Sequence, residues 1–294
     1  MNISDIFKHK KISYSLEIFP PKKDSSYNVI YNTLLRLRGL PADYISVTYG
    51  AGGSLAQREK TVEIASLIRT NYHIEPVAHI TCVNSSEQDV VEILEKLKQN
   101  QVMNLMVLRG DISPDVPPKD DFRFASDLAD FIKKREPEFN LMGACYPEGH
   151  YQSPSLEEDV QNLHHKIANG VTHLVTQLFF DNEAFYRFRD LATAQGIDVP
   201  IVAGIMPITS LRQIERTVAL SGASVPAKLS RLFNKYANKP EALRDAGIFY
   251  AIEQIMDLID NDIRGIHLYT MNNVETAYKI SEAVQNVIMA ENLP

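Results

Sequence analysis

Eight short segments rich in β-branched and aromatic residues recur along the chain, and amphipathic segments separate them. We predict strands over residues 12–19, 44–50, 75–83, 104–110, 141–146, 172–180, 200–206 and 265–271. We predict helices over 28–39, 54–71, 85–100, 123–136, 156–169, 181–195, 210–221, 226–236, 240–261 and 273–290. Alternation of strands and helices indicates an α/β protein with a parallel sheet, and eight parallel strands is the number that closes a (β/α)8 TIM barrel.

The connection between the seventh and eighth strands is longer than the others. It has room for an extra helix, over 226–236, ahead of the crossover helix over 240–261. No linker or low-complexity tract divides the 294 residues, and a barrel of about 250 residues with additions fits this length. We therefore predict one eight-stranded parallel barrel domain, residues 1–294, with an extra helix between strands seven and eight. An open doubly wound sheet is the alternative.

Charge and composition exclude several classes of protein. The formal net charge of −7 argues against a nucleic-acid or membrane-surface binder, which would carry a basic patch. Two cysteines, Cys82 and Cys145, are too few for a disulfide framework and indicate a reducing compartment. The first residues have no apolar signal core, and no apolar run is long enough to span a bilayer. We expect a cytoplasmic protein without a zinc-type metal site, because no His/Cys/Asp/Glu cluster has the required spacing.

Polar residues recur where the predicted strands end. Glu17 closes the first strand just before two prolines, and alternation places it with Ser13 and Ser15, opposite the apolar residues of that strand. Because the carboxyl ends of barrel strands carry the active site, this pattern favours a site over a coincidence of loop chemistry. Further polar residues at these ends are Thr48, Tyr49, His79, Arg109, Asp111, Tyr146, His150, Gln177, His267 and Tyr269.

Structural roles remain open for several of these residues when they are taken singly. Glu17 could be a structural acid paired with an arginine or lysine inside the barrel, since acids are rarely fully buried without a partner. Arg109 and Asp111 could form a simple ion pair, and His79 alone could be a hydrogen-bonded core histidine. The glycine-rich turn over 50–54 could approach a phosphate at the start of a helix, or be only a tight turn.

Taken together, the strand ends resemble the methylenetetrahydrofolate reductase family, from about residue 12 to residue 285. The motifs that carry the resemblance are EIFPPK at 17–22, VTYGAGG at 47–53, HITC at 79–82, LRGD at 108–111, YPEGH at 146–150, TQLFFD at 176–181, GIMP at 204–207 and HLYTMN at 267–272. The resemblance implies a flavoprotein barrel that binds FAD and oxidises NADH or NADPH. It implies reduction of 5,10-methylenetetrahydrofolate to 5-methyltetrahydrofolate, the methyl source for methionine synthesis, with ping-pong kinetics. The chain resembles the bacterial form of the enzyme, and we expect it to form a homo-oligomer.

The resemblance also implies roles for individual residues. Glu17 matches the proton donor, Asp111 matches the acid near flavin and folate, and the substrate contacts match Gln177, Gln213, Asp111 and Thr48. The implied flavin contacts are Thr48, Tyr49, Ala51, His79, Arg109, Gly110, Asp111, Phe124, Ala125, Tyr146, His150, Asp159, Asn162, His165 and Lys166. Arg109, His150 and Lys166 would face the pyrophosphate and ribose.

The sequence departs from the family pattern at four positions. Phe124 replaces a tyrosine and His165 an arginine among the flavin contacts. Thr217 stands where the bacterial enzyme has an aromatic residue that stacks on nicotinamide or folate, and Asn273 replaces an arginine that meets the folate tail. These departures motivate a second hypothesis, a flavin- or folate-binding barrel subunit that a partner protein reduces. A flavin-free aldolase is a third, but no strand end carries the lysine that a Schiff base needs.

Overall fold

The structure, a computed structural model, describes residues 1–21, 27–49, 55–111 and 119–293, and the side chains of 27–29 and 55–57 are not described. Ala51, an implied flavin contact, and the glycine-rich turn over 50–54 lie outside these residues. Eight parallel strands follow one another in chain order around a closed barrel. They are β1 Ser13–Ile18, β2 Tyr44–Val47, β3 Glu75–Thr81, β4 Asn104–Leu108, β5 Asn140–Cys145, β6 Val171–Thr176, β7 Ile201–Ile205 and β8 Gly265–Tyr269.

Helices cover the outside of the barrel. They are α1 Ile6–His9, α2 Tyr27–Leu37, α3 Leu55–Leu67, α4 Glu87–Gln99, α5 Ala125–Arg135, α6 Leu156–Ala168, α7 Asn182–Ala194, α8 Leu211–Ser221, α9 Ala227–Tyr236, α10 Pro240–Asp260 and α11 Val274–Glu291. The prediction of a TIM barrel is confirmed, including the extra helix α9 between β7 and β8, and the closed barrel excludes the open doubly wound sheet.

The predicted strands run too far at their carboxyl ends. The sixth was predicted over 172–180, but β6 ends at Thr176. Phe179 and Phe180 beyond it are apolar and buried, which is the pattern that predicts a strand. Their backbone carbonyls instead accept hydrogen bonds from α10, from Gln254 at 3.0 Å for Phe179 and from Tyr250 at 2.6 Å for Phe180. The α-helix predicted over 54–71 is also shorter in the structure, because α3 ends at Leu67 and a π-helical turn over Ile68–Tyr72 follows it.

The two faces of β1 divide as alternation predicts. Tyr14, Leu16 and Ile18 are buried in the apolar layer between barrel and helices, where the Tyr14 hydroxyl bonds Ser281 of α11 at 2.7 Å. The residues of the opposite parity, Ser13, Ser15 and Glu17, point into the barrel, because Ser15 and Glu17 contact inward side chains of β8. The acid at the end of this strand therefore lies inside the mouth of the barrel.

An N-terminal segment closes the opposite end of the barrel. A 3-10 turn over Ile3–Asp5 leads into α1, and Ile3 and Ile6 pack with inward residues of six strands: Tyr44, Val77, Met106, Met142, Val175 and Val202. The backbone N–H of Ile3 donates to Oδ1 of Asn104 at 3.0 Å. With its amino end filled in this way, the barrel is open to ligands at its carboxyl end.

Candidate active site

A pocket of about 340 Å³ lies at the carboxyl ends of the strands. Its wall is formed by inward residues of the strands and by the loops that follow them. The predicted site residues that line it are Glu17, Thr48, Tyr49, His79, Arg109, Gly110, Asp111, Tyr146, His150 and Gln177. Residues from six different strand ends thus meet in one cavity, as the barrel topology predicts.

Glu17 lies between two histidines. Its Oε2 is 3.3 Å from Nε2 of His267 and 3.5 Å from Nε2 of His79. Burial lowers the pKa of His79 to about 4, although the nearby Glu17 opposes that shift. His79 is therefore an uncharged imidazole near neutral pH, with Ser46 Oγ 2.5 Å from its Nε2.

The residues after β4 form one wall. Gly110 has a φ of +84°, and a Cβ there would lie 2.9 Å from Cβ of Thr81, so both the turn and the close approach to β3 require glycine. This turn places Arg109 and Asp111 on either side of it at the edge of the pocket. Arg109 is half-buried and its guanidinium bonds the side chain of Gln152, whereas Asp111 is exposed.

The loop after β5 forms the adjoining wall. The rings of Tyr146 and His150 pack edge to face with centroids 4.8 Å apart. Asp159 of α6 holds this loop, because its carboxylate accepts from the backbone N–H of His150 at 3.2 Å and from the hydroxyl of Ser153 at 2.7 Å. Burial lowers the pKa of His150 and raises that of Tyr146 to about 12, so both side chains favour their uncharged forms.

Lys166 places a basic group behind the same wall. Its Nζ donates to the backbone carbonyl of Ala144 at 2.6 Å, and Ala144 lines the pocket. Burial lowers the pKa of Lys166. The side chains of Lys166 and Arg109 thus place two basic groups on the side of the pocket formed by the ends of β4 and β5.

Gln177 and Tyr269 complete the pocket on the side of β6 and β8. The backbone N–H of Gln177 donates to the carbonyl of Cys145 at 2.7 Å, which anchors the residue directly after β6. The Tyr269 hydroxyl donates to the carbonyl of Thr176 at 2.7 Å. A Cβ at Gly204 would lie 2.7 Å from the Tyr269 ring, so the glycine of the GIMP motif makes room for this tyrosine.

Several predicted residues lie outside the pocket wall. Ala125 is buried at the start of α5, Phe124 is 47% exposed just before it, and Asn162 and His165 are exposed on α6. Gln213 braces the loop after β7, because its side chain bonds the backbone of Thr209 (2.9 Å) and Pro207 (3.0 Å). Their roles toward ligands remain predictions.

Two of the departures from the family pattern have structural roles in this chain. Thr217 is buried on α8, and its hydroxyl lies 3.6 Å from the sulfur of Met206. Asn273 is the N-cap of α11, where its Oδ1 accepts from the N–H of Thr276 at 3.1 Å.

Other wall residues were not among the predicted site residues. They include Asn84, Met106, Leu108, Tyr151 and Thr176. Met106 and Leu108 share the inward parity of β4, so alternation carried along each strand would have found them. Asn84 and Tyr151 lie in loops, where no periodic signal exists.

Two features are absent from residues 1–21, 27–49, 55–111 and 119–293. No group of three or more His, Cys, Asp or Glu side chains is placed there to hold a metal ion. None of the described helices combines the length and apolar character needed to traverse a bilayer.

Comparisons with known proteins agree with the resemblance of the motifs. The sequence profile of the family described as methylenetetrahydrofolate reductase matches residues 2–285. The 5,10-methylenetetrahydrofolate reductase of Pectobacterium carotovorum is 33% identical over 92% of this chain and 89% of its own length. That of Escherichia coli is 30% identical over 92% of this chain and 90% of its own length.

A solved structure has the same fold. An uncharacterized protein from Clostridium thermocellum, which binds two copies of 5-methyl-5,6,7,8-tetrahydrofolic acid, superposes with a TM-score of 0.66 over 98% of this chain and 100% of its own. At 14% identity this likeness shows the fold alone. The family profile and the two bacterial enzymes go further, and they show that the chain belongs to the methylenetetrahydrofolate reductase family.

Proposed function

We propose that this protein reduces 5,10-methylenetetrahydrofolate to 5-methyltetrahydrofolate, with FAD as its cofactor and NADH or NADPH as the electron donor. The observation that carries the proposal is the position of Glu17, a carboxyl group inside the barrel mouth between two histidines, in the pocket that Asp111 and Gln177 also line. The folate bound by the C. thermocellum protein of the same fold supports a folate substrate.

Glu17 is suited to the step that must precede reduction. The five-membered ring of the substrate has to open to an iminium ion, and opening needs a proton on the departing nitrogen. A carboxyl group in a desolvated pocket can hold a proton near neutral pH and deliver it. The uncharged His79 lies beside Glu17, with its Nε2 3.5 Å from the carboxyl oxygen Oε2.

Asp111 and Gln177 are suited to binding and stabilising the substrate. The exposed carboxylate of Asp111 lies at the pocket edge, where a negative charge would stabilise the iminium cation as it forms. The side-chain amide of Gln177 offers both a donor and an acceptor, which is the pairing that a pterin ring needs. The backbone N–H of Leu178 donates to Oε1 of this amide at 2.9 Å, which holds the side chain at the end of β6.

The residues on the other side of the pocket fit a flavin nucleotide. Arg109 and Lys166 supply positive charge in a chain of net charge −7, and Gly110 forms the turn that places Arg109 at the pocket edge. Tyr49, Tyr146 and His150 supply aromatic surface at the same wall. FAD bound there would supply the hydride acceptor and donor.

The size of the pocket supports ping-pong kinetics. A volume of about 340 Å³ lies near the lower end of the range for small-molecule sites. Because the flavin ring would also take up part of this volume, nicotinamide and folate would occupy the pocket in turn rather than together. The cytoplasmic location and the homo-oligomer expected from the sequence remain predictions.

The change Glu17→Gln tests the proton-donor role within this proposal. We expect reduction of bound flavin by NADH to stay within about threefold of the native rate, because that half-reaction needs no proton on the folate. We expect the folate half-reaction to slow by a factor of about 10²–10⁴, the usual contribution of a positioned acid. Both rates would be measured by stopped-flow absorbance under anaerobic conditions.

Glu148→Gln is the matched control. Glu148 is an exposed carboxylate in the loop after β5, does not line the pocket and accepts from the N–H of Ser224. An amide oxygen can still accept there, so both half-reactions should keep their native rates. Equal loss of both half-reactions in Glu17→Gln would contradict the proton-donor role.

The partner-reduced subunit makes a different prediction. If a partner protein supplied the electrons, the lone chain would bind flavin but NADH and NADPH would not bleach it. Thr217, buried against Met206, leaves no aromatic ring at the position that the family uses to stack on nicotinamide. NADH oxidation by the purified chain alone separates the two functions.

A further inference from the structure

We propose that Tyr151, an exposed aromatic residue at the edge of the pocket, stacks on the adenine ring of a bound dinucleotide, and that FAD is this dinucleotide. The inference rests on the proposed function for the flavin in the pocket. It adds a binding residue, in the loop after β5, to which the resemblance of the motifs assigns no role. The exposure of Tyr151, its place on the pocket wall and its neighbours carry the inference.

Tyr151 combines exposure with a place on the pocket wall. The residue is 80% exposed. Exposed apolar side chains that lie singly on a surface are ordinary, so exposure alone implies no ligand. Of the large apolar side chains that are exposed in the described parts of the chain, however, Tyr151 is the one that also lines the pocket. Its ring is therefore accessible to a molecule that enters or leaves this site.

Hydrogen bonds on both sides of Tyr151 fix the loop that carries it. The backbone N–H of Gln152 donates to Nδ1 of His150 at 3.2 Å, and the N–H of Ser153 donates to the carbonyl of His150 at 2.8 Å. The Ser153 hydroxyl donates to Asp159 of α6 at 2.7 Å. The ring thus projects from a hydrogen-bonded turn, and a ligand that stacks on it need not order the loop first.

The Tyr151 ring continues an aromatic surface that begins at the end of β5. Its centroid lies 4.6 Å from that of His150, with 31° between the ring planes. His150 packs edge to face on Tyr146, with centroids 4.8 Å apart. His150 covers one face of the Tyr151 ring, and the large exposed fraction leaves the other face to a planar ligand.

A basic group lies beside this aromatic face. The guanidinium of Arg109, which also lines the pocket, bonds the side chain of Gln152, the residue directly after Tyr151. An aromatic face next to an arginine matches a nucleotide, because a base stacks on the ring and a diphosphate pairs with the guanidinium. The chemistry at this edge of the pocket therefore favours an adenine dinucleotide over an uncharged aromatic ligand.

The volume of the pocket explains why the adenine needs a separate position. FAD has two ring systems, flavin and adenine, at the ends of a chain that contains the diphosphate. The pocket volume of about 340 Å³ lies near the lower end of the range for small-molecule sites. The flavin ring has to occupy the pocket to exchange hydride with the substrates, so the adenine has to bind at its edge, where Tyr151 lies.

Tyr151→Ala tests the inference on the purified full-length protein with its flavin bound. Dilution releases flavin, and the absorbance of the filtrate after ultrafiltration gives the free concentration and hence the affinity. Loss of an aromatic ring that stacks on a base should weaken FAD binding about tenfold. The affinity for FMN, which has the same flavin ring but no adenine, should stay at the native value.

Two variants are the controls. Tyr151→Phe keeps the aromatic face and should keep the native affinity for FAD. Phe249→Ala removes an aromatic ring that is 71% exposed on α10 and does not line the pocket, so neither affinity should change. Equal weakening of FAD and FMN binding in Tyr151→Ala would indicate damage to the loop rather than a lost adenine contact, and it would overturn the inference.

NADH carries the same adenine and diphosphate as FAD, and a second arm of the experiment separates the two. If Tyr151 stacks on NADH, Tyr151→Ala should raise KM for NADH about tenfold but leave the FAD affinity and KM for reduced nicotinamide mononucleotide unchanged. That result would overturn the assignment to FAD and retain adenine recognition. Native values for both the FAD affinity and KM for NADH would overturn the whole inference.

Tryptophan fluorescence gives a readout that does not depend on activity. The chain contains no tryptophan, so Tyr151→Trp introduces a single fluorophore at the stacking position. AMP should quench its emission in protein loaded with FMN, because the adenine position is then free, but not in protein loaded with FAD. Phe249→Trp is the matched control, and its emission should not respond to AMP. Absence of quenching in Tyr151→Trp, or equal quenching in both variants, contradicts the inference.

Failure of the proposed function would look different. A protein that binds FAD but does not pass electrons from NADH to the folate could still distinguish FAD from FMN through Tyr151. If the chain bound no flavin at all, AMP quenching of Tyr151→Trp in the flavin-free protein would still decide between the presence and the absence of an adenine contact.

Discussion

At the scale of single residues, Glu17 shows what alternation along a strand can and cannot predict. Parity alone places Glu17 inside the barrel with Ser13 and Ser15, and the structure confirms that placement. Its two histidine partners come from β3 and β8, and their approach depends on the register between strands, for which a single sequence has no signal. The sequence therefore predicted the acid but not its contacts.

Asp111→Asn tests the electrostatic role proposed for the pocket edge. Removing the negative charge should destabilise the developing iminium cation and slow the folate half-reaction by about tenfold, which is about 1.4 kcal/mol of barrier. The nicotinamide half-reaction should change less, because no iminium cation forms on the folate in it. The ratio of the two stopped-flow rates is the measurement, and an unchanged ratio would contradict the role. Asp120→Asn, an exposed acid outside the pocket wall, is the control.

At the scale of elements, helix starts were easier to predict than strand ends. The Ser86–Asp89 capping box that opens α4 is a local motif, and the structure shows both of its bonds. The end of β6 depends instead on tertiary packing. The apolar residues Phe179 and Phe180 favour a strand by their sequence, but side chains of α10 donate hydrogen bonds to their backbone carbonyls. The N-terminal turn and α1 gave no sequence signal, since their few apolar residues are buried only by the inside of the barrel.

The start of α4 also makes a prediction about stability. Burial alone would raise the pKa of Asp89, but hydrogen bonds from Lys119 and Ser86 and the charge of Arg58 outweigh it and lower the pKa. Asp89 ionises near pH 4 in an unfolded chain, so its contribution to stability is present above about pH 4 and is lost as the pH falls below it.

Asp89→Asn should therefore lower the free energy of unfolding by about 2–3 kcal/mol at pH 7, because the buried guanidinium of Arg58 loses the carboxylate with which it forms an ion pair. The difference from the native protein should shrink when urea denaturation is repeated at pH 3. Asp130→Asn, which breaks only the exposed pair with Lys134, is the control and should change little at either pH. A difference that does not depend on pH would contradict the assignment.

At the scale of the whole molecule, the two ends of the barrel have separate tasks. The N-terminal segment fills the amino end, and the pocket occupies the carboxyl end. This division follows the general rule that the carboxyl face of a TIM barrel carries function and the amino face stability.

Ile3→Ala tests this division. Ile3 is fully buried among the inward residues of the barrel, so truncation should lower the free energy of unfolding by about 2–4 kcal/mol. Activity measured well below the unfolding temperature should stay native, because the pocket is at the other end. Lys8→Ala on the exposed side of α1 is the control and should leave both quantities unchanged. Activity that falls while the protein is still folded would contradict the separation of the two ends.

The central claim is that one chain takes electrons from a nicotinamide and gives them to a folate through a bound flavin. The most direct test is the absorption spectrum of the purified protein without oxygen, recorded alone, after NADH or NADPH, and then after 5,10-methylenetetrahydrofolate. We predict a yellow protein that the nicotinamide bleaches and the folate restores. A protein that binds no FAD would contradict the flavin assignment, and a yellow protein that neither nicotinamide bleaches would contradict direct reduction and favour a partner protein as the electron source.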